Sequence, residues 1–110
     1  MNQRNHLGEF EEIVLLTVAV LYDEAYGVAI KQEIEKRLDR SVSVGALQSA
    51  LRRMEDKGFL QSRLGEATQV RGGKRKRYFT VTPYGKQVLV DARESRSQLW
   101  QAIPKIAFDF

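Results

Sequence analysis

The chain has 110 residues, no cysteine and a single histidine, with hydrophobic residues at 43% and charged residues at 29%. This is the profile of one ordinary globular unit with a modest core, and it excludes disulfides, thiolate metal sites and a cysteine nucleophile. The net charge is +4, and Arg71, Lys74, Arg75, Lys76 and Arg77 account for all of it. Without those five, acidic residues would outnumber basic ones by one. Such a local basic patch is expected of an element that contacts a nucleic-acid backbone.

The N-terminal stretch places His6 among polar residues, where a solvated terminal side chain is expected. Glu9, Glu11 and Glu12 precede the first apolar run, so no signal peptide is expected, and residues 13–22 are too few to span a bilayer. By elimination, the chain is expected in the cytoplasm with no membrane partner.

Residues 9–22, EFEEIVLLTVAVLY, read as a helix whose acidic first turn suits the helix dipole. Phe10, Ile13, Val14, Thr17, Val18 and Leu21 share one face, while Leu15, Leu16, Ala19 and Val20 make the rest apolar. A helix apolar on nearly all sides needs cover on nearly all sides, both within its subunit and against a partner. Asp23 and Glu24 form a short polar break. Residues 26–38 read as a second helix, amphipathic through Val28 or Ala29, Ile30, Ile34 and Leu38. Gly27 near its start is expected to allow close packing against another backbone.

After a short turn, residues 43–60 read SVGALQSALRRMEDKGFL. Ser43 suits an N-cap, and Val44, Leu47, Leu51 and Met54 recur at the spacing of a buried stripe. The opposite row holds Gly45, Gln48, Ser49 and Arg52, with Arg53 on its shoulder, and Gly58 stops the helix. Small residues, an amide and a guanidinium on an outer face suit the major groove of DNA. Two helices joined by a short turn, the second with such a face, form a helix-turn-helix pattern, which on its own is a weak signal.

The following segments strengthen it. Residues 60–64 and 77–82 alternate apolar and polar as half-buried strands do, and GEATQVRGGKRK between them carries Gly65, Gly72 and Gly73. The pair reads as a hairpin with a basic tip able to meet phosphates or enter a narrow minor groove. The plain alternative is a solvated hairpin that contacts nothing. Thr82 then suits an N-cap and Pro83 a first helical position, opening a helix that runs to about residue 103, before Pro104. Val88, Ala92, Leu99 and Ile103, with Leu89 and Trp100 alongside, recur at about 3.5 to 3.6 residues. So long a helix has little of its own subunit to pack on, and dimerisation through it and the residue 9–22 helix is expected. The expected dimer contacts are Phe10, Val14, Val18, Val88, Ala92, Leu99, Trp100 and Ile103. Ile106, Ala107, Phe108 and Phe110 form an apolar tail placed to cap that interface.

The fold expected is mainly α with a small β-hairpin: a winged helix-turn-helix over residues 1–82 and a dimerisation helix with tail over 83–110. Several stretches resemble the PadR family of bacterial transcriptional regulators, in particular its short members with a single C-terminal helix. They are Ala25-Tyr26-Gly27, Ser43-Val44-Gly45-Ala46-Leu47, Leu51-Arg52-Arg53-Met54-Glu55 with Lys57-Gly58-Phe59-Leu60, and Lys74-Arg75-Lys76-Arg77-Tyr78-Phe79 followed by Thr82-Pro83-Tyr84-Gly85. Gln48 and Ser49 stand where that family usually has tyrosine then proline, and Gly72-Gly73-Lys74 replaces its Gly-Arg-Pro-type wing. The resemblance implies a dimeric repressor of a pseudo-palindromic operator on double-stranded DNA, released in some relatives by a small aromatic effector.

Gln48, Ser49 and Arg52 are expected in the major groove, with Gly45 and Ala46 permitting close approach and Ser43 in the same DNA-binding set; Gln48 is open to a phosphate contact or to bidentate adenine readout. Arg53, Lys74, Arg75, Lys76 and Arg77 are expected at phosphates or in the minor groove. Trp100 is read either as a ring that stacks on an effector or as dimer packing, and both readings stay open. The alternative function is a winged-helix protein-interaction module without DNA binding. No enzyme, cofactor or metal is expected, because the acidic residues stand with no nucleophile, ligand spacing or phosphate loop.

Overall fold

The computed structural model describes residues 6–66 and 75–110. Helix α1 spans Glu9–Leu21 and passes through a 3-10 turn, Tyr22–Glu24, into α2, Gly27–Leu38. Helix α3 spans Val44–Asp56, strands β1 and β2 span Leu60–Leu64 and Arg77–Val81, and α4 spans Pro83–Ala102. A last 3-10 turn covers Lys105–Phe108. No helix among the described residues is long and apolar enough to cross a membrane.

The caps follow the local residue types. Ser43 Oγ accepts the Ala46 N–H at 3.3 Å, and Thr82 Oγ1 accepts the Gly85 N–H at 3.0 Å. Asp39 ends α2 in the left-handed region at φ 51°. The core joins the inner faces of all four helices and the hairpin, with Leu15, Ile30, Leu47, Leu51, Met54 and Phe59 among its fully buried side chains.

Strand β1 pairs antiparallel with β2, Leu60 opposite Val81 and Leu64 opposite Arg77. The segment before α2 lies along the other edge of β2: the Phe79 N–H donates to Ala25 O at 2.8 Å, and Tyr26 bridges Tyr78. The wing is thereby fixed to the start of α2 as well as to the end of α3. The start of α4 is joined to the hairpin base by a second set of bonds. Thr82 N–H donates to Phe59 O at 3.0 Å, Thr82 Oγ1 donates to Gly58 O at 2.6 Å, and the Tyr84 ring meets Phe59 edge-on at 5.2 Å.

Three sequence expectations are corrected by packing. Val44 is 59% exposed and not part of the buried stripe, which runs Leu47, Ala50, Leu51, Met54. Val44 is the first residue of α3 and lies beyond the edge of the core, where Val42 from the preceding turn is buried instead. In α2, Ile30 and Ile34 are buried, Ala29 is half-buried, and Val28 and Leu38 are exposed at the two ends of the helix. Gly27 makes no close backbone contact, since the nearest atom to a Cβ there would be Gln48 Nε2 at 3.7 Å. The close approach occurs at Gly85, where a Cβ would lie 2.2 Å from Phe59 O.

Candidate nucleic-acid interface

Helix α3 turns its apolar row into the core, so geometry alone puts the opposite row in solvent. Gly45, Ala46, Gln48, Ser49 and Arg52 are all exposed. Gln48, Ser49 and Arg52 make no side-chain hydrogen bond or ion pair among the described residues, whereas their neighbours do. An exposed row without internal partners keeps its donors and acceptors free for base edges. The N-terminal halves of α2 and α3 and the wing enclose a groove of about 470 Å³, whose walls include Tyr26, Val28, Lys31, Val44, Gln48 and Lys76. The outward-turned Val44 and Val28 thus form an apolar wall beside Gln48, which accounts for both side chains lying outside the core.

Each of the described wing cations, Arg63, Arg75, Lys76 and Arg77, makes a contact at the hairpin base. Lys76 Nζ stands 4.1 Å from the centroid of Tyr26, and Arg63 Cζ stands 4.7 Å from that of Tyr78. The two tyrosines meet edge-on at 5.6 Å. Arg75 Nε donates to Gly65 O at 2.7 Å. Arg77 Nη1 donates to Ser62 Oγ at 3.0 Å, and Ser62 in turn donates to Glu55 Oε2 at 2.6 Å. Lys74, with Arg71, Gly72 and Gly73 of the expected tip, lies outside the described residues. Tyr26 and Arg63 belong to this surface and were missed by reading charge runs. The signal for Tyr26 was only its place at the start of α2.

Arg53, expected at phosphate, donates from Nε to Glu11 Oε2 at 2.9 Å and remains half exposed. Lys57 Nζ approaches the same oxygen at 3.8 Å, and the Gly8 N–H donates to Glu11 Oε1 at 3.2 Å. Burial pushes the Glu11 carboxyl up, but these donors and cations outweigh it and hold it below the usual carboxylate range. Glu35 is lowered too, by the Lys31 ammonium at 2.9 Å and the Val42 N–H at 2.9 Å.

On the far side of α1, a cavity of about 670 Å³ lies along α4. Leu16, Leu89, Val90 and Trp100 give it an apolar floor. Its rim carries Lys86, Arg93 and Arg96, with Arg96 paired to Glu12 at 2.6 Å. Trp100 is 69% exposed, and the Phe108 ring meets it at 6.4 Å. Of the expected dimer contacts, Val14, Val18 and Val88 are buried in the chain's own core, so their side chains cannot reach a partner. The periodicity that singled them out is that of the internal core. Phe10, Ala92 and Ile103 are half-buried, while Leu99 is 71% exposed.

The family model for the transcriptional regulator PadR-like family matches residues 15–91, which includes α2, α3, the wing and most of α1. The chain belongs to the PadR-like family. It is therefore a DNA-binding transcriptional regulator with a winged helix-turn-helix fold. Among solved structures this PadR-like chain is similar to a PadR-like transcription factor from Bacteroides fragilis, at 27% identity and TM-score 0.70 over 84% of each chain. It is also similar to a PadR family transcription regulator from Clostridium difficile, at 26% identity and TM-score 0.67, over 84% of this chain and 92% of that one. A transcriptional regulator from Clostridium thermocellum shares the fold over 98% of this chain and 97% of its own, at 24% identity and TM-score 0.70. No functionally curated protein matches the chain.

Proposed function

We propose that this PadR-like regulator is a homodimeric repressor that reads a pseudo-palindromic operator with α3. The observation that carries the reading is the exposed, internally unpartnered row of Gln48, Ser49 and Arg52 on a helix whose other face is core. Gln48 would pair with adenine and Arg52 with guanine, with Gly45 and Ala46 permitting close approach. Ser43, at the exposed N-cap of α3, would sit at the groove edge. Arg53, Arg75, Lys76 and Arg77, together with Lys74, would meet phosphates or the minor groove. A gel shift on the region upstream of the protein's own gene tests this. A shift that survives excess random DNA supports it, and no shift there or on other promoter fragments favours the protein-interaction alternative.

The dimer reading is supported by apolar surface that the chain leaves uncovered: Leu16 and Val20 on α1, and Leu99 and Trp100 on α4. These replace Val14, Val18 and Val88 as the side chains offered to a partner copy. The groove between α1 and α4 is the effector site in this reading, with Trp100 as its stacking ring. Its cationic rim of Lys86, Arg93 and Arg96 favours planar aromatic anions over cations. Quenching of Trp100 fluorescence by aromatic carboxylates, but not by aromatic cations, is the expected result. Silence from both panels would leave Trp100 as dimer packing.

A further inference from the structure

The buried polar side chains among the described residues are Thr17 and Glu11. Thr17 is satisfied within its own helix, its hydroxyl donating to Ile13 O at 2.7 Å. Glu11 is different. It is a carboxylate only 8% exposed, and it is aimed out of α1 at the C-terminal half of α3. Its bond to the Gly8 N–H closes the capping box of α1, a role that a neutral glutamine fills equally well, so helix capping alone does not require the negative charge.

The geometry of its bonds is informative. One oxygen is tied to the backbone by Gly8 N–H, which fixes the carboxylate in place. The other receives Arg53 through Nε and has Lys57 Nζ at 3.8 Å. Engaging Arg53 by Nε leaves both terminal amino groups of the guanidinium without a partner among the described residues. The side chains of Arg53 and Lys57 stay 53% and 38% exposed. Arg53 stands one helical turn after Ser49, at the edge of the outward row, and Lys57 follows one turn later at the end of α3.

We infer that Glu11 is a positioning residue for DNA: it holds Arg53 and Lys57 as a two-cation phosphate clamp along the flank of α3. Two long side chains lose their freedom on folding rather than on binding, and the guanidinium is presented fork outward, as a phosphate requires. The inference rests on the phosphate reading of Arg53 above and adds to it both Lys57 and the acid that aims them.

A charge argument predicts the opposite sign, which makes the inference testable. Removing Glu11 makes the protein one unit more positive, so a pure charge effect would tighten binding to any duplex. Affinity for a mixed-sequence duplex of about two helical turns is measured by fluorescence anisotropy across a salt series, with thermal melting to confirm folding. Glu11→Ala is expected to weaken binding about five- to tenfold and lower the salt slope by about one unit. Glu11→Gln, which keeps an acceptor for Arg53, should fall between it and wild type. Arg53→Ala should lower the slope by a similar amount and add little to Glu11→Ala. If both Glu11 variants bind as tightly as wild type or tighter with an unchanged slope, the positioning role is overturned. If Arg53→Ala leaves the slope unchanged, the phosphate reading of Arg53 fails first. Should Glu11→Ala not fold, Arg53→Lys decides, because lysine lacks the separate Nε–H and terminal fork by which a guanidinium binds Glu11 and a phosphate bidentately at once. Wild-type binding by that variant overturns the inference, and a reduced slope supports it.

Discussion

Arg52 and Arg53 are neighbours in the chain that end in different surroundings. Arg52 is exposed and has no partner among the described residues, while Arg53 is anchored on Glu11. The 100° step of a helix separates them: one side chain projects into the outer row and the other leans toward α1. Arg52→Ala should therefore cost about 1–3 kcal/mol on the operator and little on random DNA. Filter binding to both would check it, and equal weakening would make Arg52 a phosphate contact instead. Glu11 also carries a pH signature. Its carboxyl is lowered in the folded state, so its contribution is complete above the ordinary carboxylate range and fades as pH falls through the folded value. Urea midpoints for wild type should drop more steeply between about pH 5 and pH 3 than those for Glu11→Gln. Glu35, lowered as well, keeps part of the slope in that variant.

Among the elements, the junction of the hairpin base and α4 is closely packed. Gly85 lets α4 start directly against the Phe59 carbonyl, and Gly58, at φ 86°, turns the chain from α3 into β1. Gly85→Ala would push a methyl group to within 2.2 Å of a backbone oxygen that cannot swing aside. It should destabilise by about 3 kcal/mol or more, a result that chemical denaturation would show directly. The first turn of α1 plays a part that helix-dipole reasoning misses. Glu9 reaches Arg40 of the turn before α3, Glu11 reaches α3, and Glu12 reaches Arg96 of α4. The Glu9–Arg40 pair, exposed at both ends, contributes only about 0–1 kcal/mol, whereas Glu11 and Glu12 make their pairs from largely covered carboxylates.

At the scale of the whole molecule, the radius of gyration is 16.8 Å and the extents are 63 × 32 × 22 Å. A compact domain of this length would have a radius near about 13 Å. The excess arises because α4 extends past the winged-helix body, carrying Leu99, Trp100 and the Ile106 and Phe108 tail in the open. Apolar surface this continuous is normally covered, and a second copy is the cover proposed above. Leu16→Glu changes a side chain already 46% exposed and lining the α1–α4 groove, so the subunit fold should survive it. Sedimentation should then show a monomer, and operator affinity should fall about a hundredfold as the two half-sites are read separately. A variant that stays dimeric would move the interface away from α1.

The winged-helix order, the caps at Ser43 and Thr82, the outer row of α3 and the two strands were legible because each depends on local spacing: 3.6 residues per turn, alternation of two, and a capping oxygen. Helix ends were harder to read. A stripe can be extended by one turn on paper, whereas the core stops where its neighbours stop, which left Val44, Val28 and Leu38 outside. Periodicity also cannot tell the inside of one subunit from the contact with another, so Val14, Val18 and Val88 were placed at a partner although they fill the chain's own core. Long-range pairing was invisible altogether. Arg53 lies 42 residues from Glu11 and Arg96 lies 84 from Glu12, separations at which no sequence pattern operates. Local spacing in the chain determined which row of α3 faces outward, and only the tertiary fold decided which of its side chains are tied to another element.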